Sequence, residues 1–234
     1  MDLLSIFIAT LPVILIGLYV YKKDRIKESK KLLLKLFLYG IYSCFPAALL
    51  GFILGIFFPE VNDMNFLELF LYCFIVISLI EELCKWFFTY KLTYNHIEFD
   101  SLYDMIVYAV FISLGFAFFE NILYVNEYGI MTGIFRGFLS VPGHACDGVL
   151  MGIYLGLSKL EEIKGNTKKS IIYNFISILI PMLIHGIYDF CLFYGSDFIM
   201  LFFSIFVVFV DVVCIIKIRE ISKDNYILKK QEYF

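Results

Sequence analysis

Glu81, Glu82 and Lys85 lie together in the run ISLIEELCKWFF. On a helix, Glu81 and Lys85 are four residues apart and Glu82 and Lys85 three apart, so both carboxylates share a face with the lysine. One ammonium then offsets one carboxylate and leaves the other free. Glu120 and Asn121 sit in GFAFFENILY, with no basic residue within four positions of Glu120. His144 and Asp147 are three apart in SVPGHACDG, and His185 and Asp189 four apart in LIHGIYDF. At these spacings a carboxylate either hydrogen-bonds the imidazole and fixes its tautomer or stands beside it as a ligand. Arg136 is the remaining base in an apolar run and a candidate partner for Glu120. Asp104 is read as a helix cap or an interfacial residue. His96 is read as a loop residue without a site role.

This set permits three kinds of chemistry. Two histidines and several carboxylates can bind a divalent metal such as zinc, with one position kept open for water. A further carboxylate then acts as general base on that water, and Lys85, Arg136, Asn121 or the metal is available to stabilise an oxyanion. Without a metal, a carboxylate activates water directly and a histidine or lysine serves as acid. Proton or ion transport uses the same residue types within spans. The chain contains neither GxSxG nor HExxH, so serine-hydrolase and HExxH-zinc readings have no support.

The elements that must position these residues are membrane helices. Of 234 residues, 61% are hydrophobic, 19% aromatic and 18% charged, against about 45–50% apolar and about 25% charged for a soluble domain. Such a composition excludes disorder. The apolar residues fall into runs of about 3–21, 33–58, 66–90, 102–124, 134–158, 171–194 and 198–216, each near the length of roughly 20 residues that crosses a bilayer. The expected fold is all-α: a polytopic bundle of about seven spans (six to eight), forming one domain over 1–234. The 41–58 stretch, with Pro46, Gly51, Gly55 and Pro59, is a candidate for a broken span. The first run has no basic segment before it and no small-residue cleavage site after it, so it reads as a span rather than a signal peptide.

Lysine and arginine concentrate in 22–31, 159–170 and after Lys217, and are absent from 59–65, 125–133 and 195–197. With seven spans the two groups alternate, which places the N-terminus outside and the C-terminus in the cytoplasm. A net charge of -3 gives no basic surplus for nucleic acid. The six cysteines lie inside apolar runs without a CxxC and read as buried thiols.

Ionisable groups in such runs cost several kcal/mol each on insertion scales, which makes each a candidate for function. The span limits put Glu82 in the cytoplasmic half of its helix, and Glu120 and Asp189 in the outer halves of theirs. At about 1.5 Å per residue the implied mismatch is roughly 10–15 Å. Asp189 is therefore the residue expected to fall outside a shared site.

The ordered motifs resemble the PrsW family of membrane proteases. Its Glu-Glu-x-x-Lys appears as Glu81, Glu82 and Lys85. Its Phe-x-x-x-Glu-Asn appears as Phe116, Glu120 and Asn121. Its Ser-Val-Pro-Gly-His appears as Ser140 to His144, with Arg136 ahead of it. Its His-Gly-x-Tyr-Asp-Phe appears as His185, Gly186, Tyr188, Asp189 and Phe190. The resemblance covers about residues 75–192, the expected catalytic core. It implies a multi-span fold related to the CAAX-type prenyl endopeptidases. It implies Glu81 and Glu82 as catalytic carboxylates, with Glu120, His144 and His185 completing the centre. It further implies site-1 cleavage of a membrane-anchored anti-sigma factor in envelope stress signalling, at the plasma membrane.

On this reading Glu82 (or Glu81) activates water. Glu120, His144 and His185 are candidate zinc ligands or polar partners. Lys85 neutralises charge and Asn121 positions substrate or an oxyanion. Arg136, Asp147 and Asp189 support the centre. Rival readings are a CAAX-type prenyl-protein protease, a proton-coupled transporter and a non-catalytic membrane scaffold. The CAAX-type relatives use Glu-Glu-x-x-x-Arg and a histidine where Glu120 stands, two differences from this chain.

Overall fold

The computed structural model describes residues 3–223 of the chain, and no strand occurs among them. The helices are α1 (Leu3–Lys23), α2 (Lys30–Gly55), α3 (Phe66–Leu71), α4 (Ile80–Thr93), α5 (Leu102–Tyr128), α6 (Ile130–Phe138), α7 (Ser140–Ile163), α8 (Thr167–Tyr194) and α9 (Asp197–Ile221). Between α3 and α4, Tyr72–Leu79 form a π-helix, so the backbone is helical without a break from Phe66 to Thr93.

Among the described residues six helices are long and apolar enough to cross a membrane by length and composition, with α6 and α7 counted as one run over Ile130–Ile163. The α3–π–α4 run, helical from Phe66 to Thr93, has a similar length. The molecule is therefore an all-α polytopic bundle and an integral membrane protein. Two details differ from the sequence reading. The 41–58 stretch is not broken: α2 continues through Pro46 to Gly55. The interruptions fall instead in the third run, as the π segment, and at Leu139, where φ −116° and ψ −59° separate α6 from α7. The second break lies three residues before Pro142. A proline is tolerated in the first turn of a helix, and Pro142 sits in the first turn of α7.

Local sequence explains where helices start. Ser29 caps α2 by accepting from the Leu32 amide. Asn65 with Glu68, and Ser101 with Asp104, form capping boxes at α3 and α5. Each satisfies amide groups that have no partner inside the helix. Asp104 thus caps α5, as its position suggested.

The fold is organised around α5, which is apolar on all sides and so belongs inside the bundle rather than at its edge. Met105, Ile106, Val107, Ala109, Val110 and Ile112 are fully buried, and α1, α2, α4 and α7 pack round them. Small residues permit this closeness. A Cβ on Gly40 would come 2.1 Å from the Ile112 carbonyl oxygen, and one on Gly115 would come 2.0 Å from that of Phe37. Helices in membranes associate through such close backbone contacts. The outer faces of α2 and α9 expose Leu49, Phe52, Leu201, Ile205 and Phe209, as surfaces facing lipid do.

Candidate active site

Four elements converge inside the bundle. α4 begins directly after the π segment and carries Glu81, Glu82 and Lys85; α5 carries Glu120. α7 carries His144 and Asp147, and α8 carries His185 and Asp189. π turns occur often at functional sites because they shift the register of the helical turns after them. Here Ser78, at the end of the π segment, donates to the carbonyls of Phe74 and Met182, at 3.1 and 2.9 Å. That ties the start of α4 to α8.

The side chains form one continuous polar chain. Arg136 Nη2 donates to Glu120 Oε2 at 3.1 Å, and His144 Nε2 lies 2.9 Å from the same oxygen. His144 Nδ1 faces Lys85 Nζ at 3.0 Å. Lys85 Nζ donates to Glu82 Oε1 at 2.7 Å, and His185 Nδ1 lies 2.9 Å from that oxygen. His185 Nε2 approaches Asp189 at 3.4 Å and Glu81 at 3.8 Å. Because an ammonium only donates, His144 Nδ1 accepts from Lys85. The Nε2–H of His144 then points at Glu120. The Lys85 ammonium also lies over the Phe116 ring, 4.2 Å from its centroid. The Arg136 guanidinium covers the Tyr124 ring at 3.9 Å.

The two adjacent glutamates have different surroundings. Glu82 is fully buried and held by Lys85 and His185. Glu81 is 15% exposed, lies 3.7 Å from Lys85, and lines a cavity of about 280 Å³. Its Oε2 has no hydrogen-bond partner among the described residues. The same cavity is bordered by Glu120, Arg136, His144, Asp147, His185 and Asp189. A second cavity of about 220 Å³, lined by Ala47, Ala48, Gly51, Phe52 and Val76, reaches Glu81 and Glu120 from the α2 side.

The expected axial mismatch therefore does not separate these residues, and Asp189 stands with the others. Span limits read from hydropathy carry no information on helix stagger, and glutamate side chains extend well beyond the backbone. One expectation is narrowed and one corrected. Asp147 does not hydrogen-bond His144, whose partners come from α4 and α5; of the two alternatives for Asp147 the one that remains is a place beside His144 as a ligand, with Oδ2 4.0 Å from His185 Nδ1. Asn121 turns away from the site: it is fully buried and its amide donates to the Ala9 carbonyl of α1 at 3.4 Å. Ser140 and Tyr188 were not singled out as site candidates, yet both line the larger cavity. Each stands within one helical turn of a site histidine, which was the available signal. His96 lies in the loop after α4, where its Nδ1 accepts from the Glu98 amide. All six cysteines are free and buried.

Two groups of donors at this site are close enough to hold a metal ion. One is Glu82, His144, Asp147 and His185; the other is Glu81, Glu120 and His144. The donor types suit zinc. Buried oxygens of Glu81, Glu82, Asp147 and Asp189 lack hydrogen-bond partners, and unpaired buried carboxylate oxygens are costly unless a cation or proton meets them. The residues present therefore fit a divalent metal. His144 belongs to both groups. In the first group the Lys85 ammonium already stands between Glu82 and His144.

Comparison with known proteins agrees with this architecture. A profile of the family described as "PrsW family intramembrane metalloprotease" matches residues 28–216. Protease PrsW of Oceanobacillus iheyensis is 34% identical over 209 residues, covering 89% of this chain and 92% of that protein. Protease PrsW of Geobacillus kaustophilus is 38% identical, covering 74% and 73%, and that of Bacillus subtilis 35% identical, covering 80% and 83%. No solved structure matches the chain. A match over so much of the chain, on a helical bundle that encloses histidines and carboxylates, means that this protein is a peptidase and belongs to the PrsW family of intramembrane metalloproteases.

Proposed function

We propose that the protein cuts a membrane-anchored protein at a zinc-dependent centre in which Glu81 activates the attacking water. The observation that carries this is the contrast between the two glutamates. Glu82 is fully buried with its Oε1 held by Lys85 and His185, whereas Glu81 borders the cavity, its Oε2 no nearer than 3.7 Å to Lys85 and 3.8 Å to His185. A general base needs a free oxygen within reach of its proton.

His144 and Glu120 would hold the ion, with His185, whose ring packs edge-on against that of His144, beside them. When bound, zinc supplies Lewis-acid polarisation and lowers the pKa of water. The chain's own residues do the rest. Glu81 takes a proton from water as the water oxygen attacks the peptide carbonyl, and returns it to the leaving amine. Lys85 keeps Glu82 ionised and orients it, and Glu82 in turn holds the His185 ring through Nδ1. Arg136 holds Glu120 and adds positive charge at the cavity wall. Asp147 and Asp189 flank His185 as supporting carboxylates.

The apolar crevice beside Gly51 supports entry of the substrate from the lipid side, between α2 and the π segment. The side chain of Phe52, at its rim, is exposed on the outer face of the bundle. A peptide cut inside a bilayer has to reach the carboxylates without crossing the apolar packing of α5, and this crevice leads to Glu81 and Glu120. The proposed catalytic core is about 75–192 within a single domain.

We further propose that the substrate is a membrane-anchored anti-sigma factor, cut first on the extracytoplasmic side at the plasma membrane. The N-terminus would lie outside and the C-terminus in the cytoplasm, as the lysine and arginine distribution supports. No partner role for nucleic acid is proposed. The test is co-reconstitution in proteoliposomes with membrane-anchored anti-sigma factors of the source cell, wild type beside Glu81→Gln. A truncated product formed only by wild type supports the assignment. Intact anti-sigma factors beside cleavage of other membrane-anchored proteins would overturn the substrate while leaving the peptidase.

A further inference from the structure

A second group of carboxylates lies at the end of the bundle where α1 stops and α2 and α5 start. Asp24 and Glu28 belong to the short segment between α1 and α2, and Asp104 to the first turn of α5. Oxygens of all three lie within 4.8 Å of one another. Asp24 and Glu28 are each 5% exposed and Asp104 is fully buried, so these are not solvated surface acids. Asp104 is held in place by its own cap: its Oδ2 accepts from the Asp100 and Ser101 amides at 2.8 and 2.7 Å, and its Oδ1 from the Ser101 hydroxyl. Oδ2 has then used both its lone pairs, and Oδ1 keeps one. Glu98, in the segment before α5, accepts from the Ser29 amide and hydroxyl at 2.8 and 3.0 Å. The two connecting segments are thereby clasped over the group.

Three features suggest what meets this charge. Asp24 Oδ2 and Glu28 Oε2 are buried without a hydrogen-bond partner. Lys27, which lies between them in sequence, directs its ammonium to the backbone carbonyls of Tyr21, Lys22 and Asp24 rather than to their carboxylates. Tyr108, one turn after Asp104 on the same helix face, is fully buried and turns its hydroxyl towards Glu28. Three buried carboxylates thus gather within 4.8 Å with Tyr108 beside Glu28, and buried charges of one sign call for a cation or shared protons.

We propose that Asp24, Glu28 and Asp104 bind a hard divalent cation of the Mg²⁺ and Ca²⁺ class, separate from the catalytic centre. All the donors are oxygen, which selects Mg²⁺, Ca²⁺ or Mn²⁺ over the softer metals. Oxygens at about 2.3–2.6 Å from a calcium ion lie up to about 5 Å from each other across it, and the group has that size. The ion would fasten the end of α1 and the start of α2 to α5, the helix that carries Glu120. Its role is positioning, since none of the three residues lines the cavity beside Glu81.

Mn²⁺, which is visible by electron paramagnetic resonance, is the probe. The full chain is purified in detergent, stripped with chelator and titrated with Mn²⁺, in wild type and in a His144→Ala/His185→Ala double variant that leaves this group intact. Glu28→Gln and, separately, Asp24→Asn are added to each, and folding is checked by gel filtration. The expected result is one Mn²⁺ equivalent that persists in the histidine double variant. It is displaced by Mg²⁺ or Ca²⁺ and lost with Glu28→Gln or Asp24→Asn. An equivalent unaffected by both acid substitutions would overturn the proposal. So would no Mn²⁺ at all in the folded histidine double variant, in which case the buried carboxylates share protons instead. If neither acid variant folds, the histidine double variant decides alone: one displaceable equivalent supports the site and none overturns it. Loss of the catalytic metal moves only the histidine comparison, so the two readings fail separately.

Discussion

Lys85 Nζ lies 3.0 Å from His144 Nδ1 and 2.7 Å from Glu82 Oε1, and is fully buried. This one ammonium joins α4 to α7 and leaves Glu81, its more distant carboxylate at 3.7 Å, available to the cavity. It also fixes which nitrogen of His144 carries the proton, because a donor must meet an acceptor. The different surroundings of two adjacent glutamates follow from where this lysine and His185 point, both to Glu82 Oε1.

Replacing Lys85 with Met removes that charge while keeping most of its volume. Glu82 is then a buried carboxylate with only His185 to meet it, and breaking a buried pair by removing one partner costs about 3–5 kcal/mol. Lys85→Met is expected to unfold at a clearly lower temperature in detergent than wild type, with cleavage lost. Replacing Glu82 and Lys85 together, by Gln and Met, is expected to recover a large part of the stability and none of the activity. A single variant as stable as wild type would show that the pair is not the support described here.

Metal removal should abolish cleavage, because oxygens of Glu81, Glu82 and Asp147 in the two donor groups have no hydrogen bond to meet them without a cation. Treatment with a zinc chelator is expected to stop the reaction and added Zn²⁺ to restore it. Mass-spectrometric metal analysis of His144→Ala should show the catalytic zinc lost, since His144 belongs to both donor groups. His185→Ala should show it at least weakened. Full activity in chelated protein that holds no metal would leave a reaction driven by Glu81 alone.

The crevice beside Gly51 makes a separate prediction. A Cβ there would meet only the Val76 carbonyl oxygen, at 3.6 Å, so Gly51→Ala should fold and cut normally. Gly51→Phe fills the space leading to Glu81 and Glu120. It is expected to raise KM for a membrane-anchored substrate by about tenfold or more, the scale set by about 1.4 kcal/mol of lost binding, with metal content unchanged. Unaltered KM would place substrate entry elsewhere in the bundle.

Much of the candidate site was legible because charge is conspicuous in apolar runs. Glu81, Glu82, Lys85, Glu120, His144, His185 and Asp189 stood out for that reason, and the helices bring them together. Their relative depth was not legible. Hydropathy marks where a run starts and stops but not how far neighbouring helices are staggered, so Glu82 and Glu120 looked farther apart than they are. The division of labour between Glu81 and Glu82 was also hidden, since both suit Lys85 by spacing and only the position of His185 separates them. Asn121 illustrates the same limit: one residue along from Glu120 turns a side chain by about 100° on a helix of 3.6 residues per turn, here towards α1. Asp24 and Glu28 sit among lysines in KKDRIKESKK and read as part of a solvated charged segment. Their burial arises from contacts with α5 that no local pattern reveals.

The most direct test of the account is the rate at which Glu81→Gln cuts a membrane-anchored substrate in proteoliposomes, with folding and bound zinc verified in the same sample. Loss of a general base lowers the rate by about 10²–10⁴-fold. The account predicts a loss of that size with the zinc retained. Cleavage at the wild-type rate by folded, zinc-loaded Glu81→Gln would contradict it.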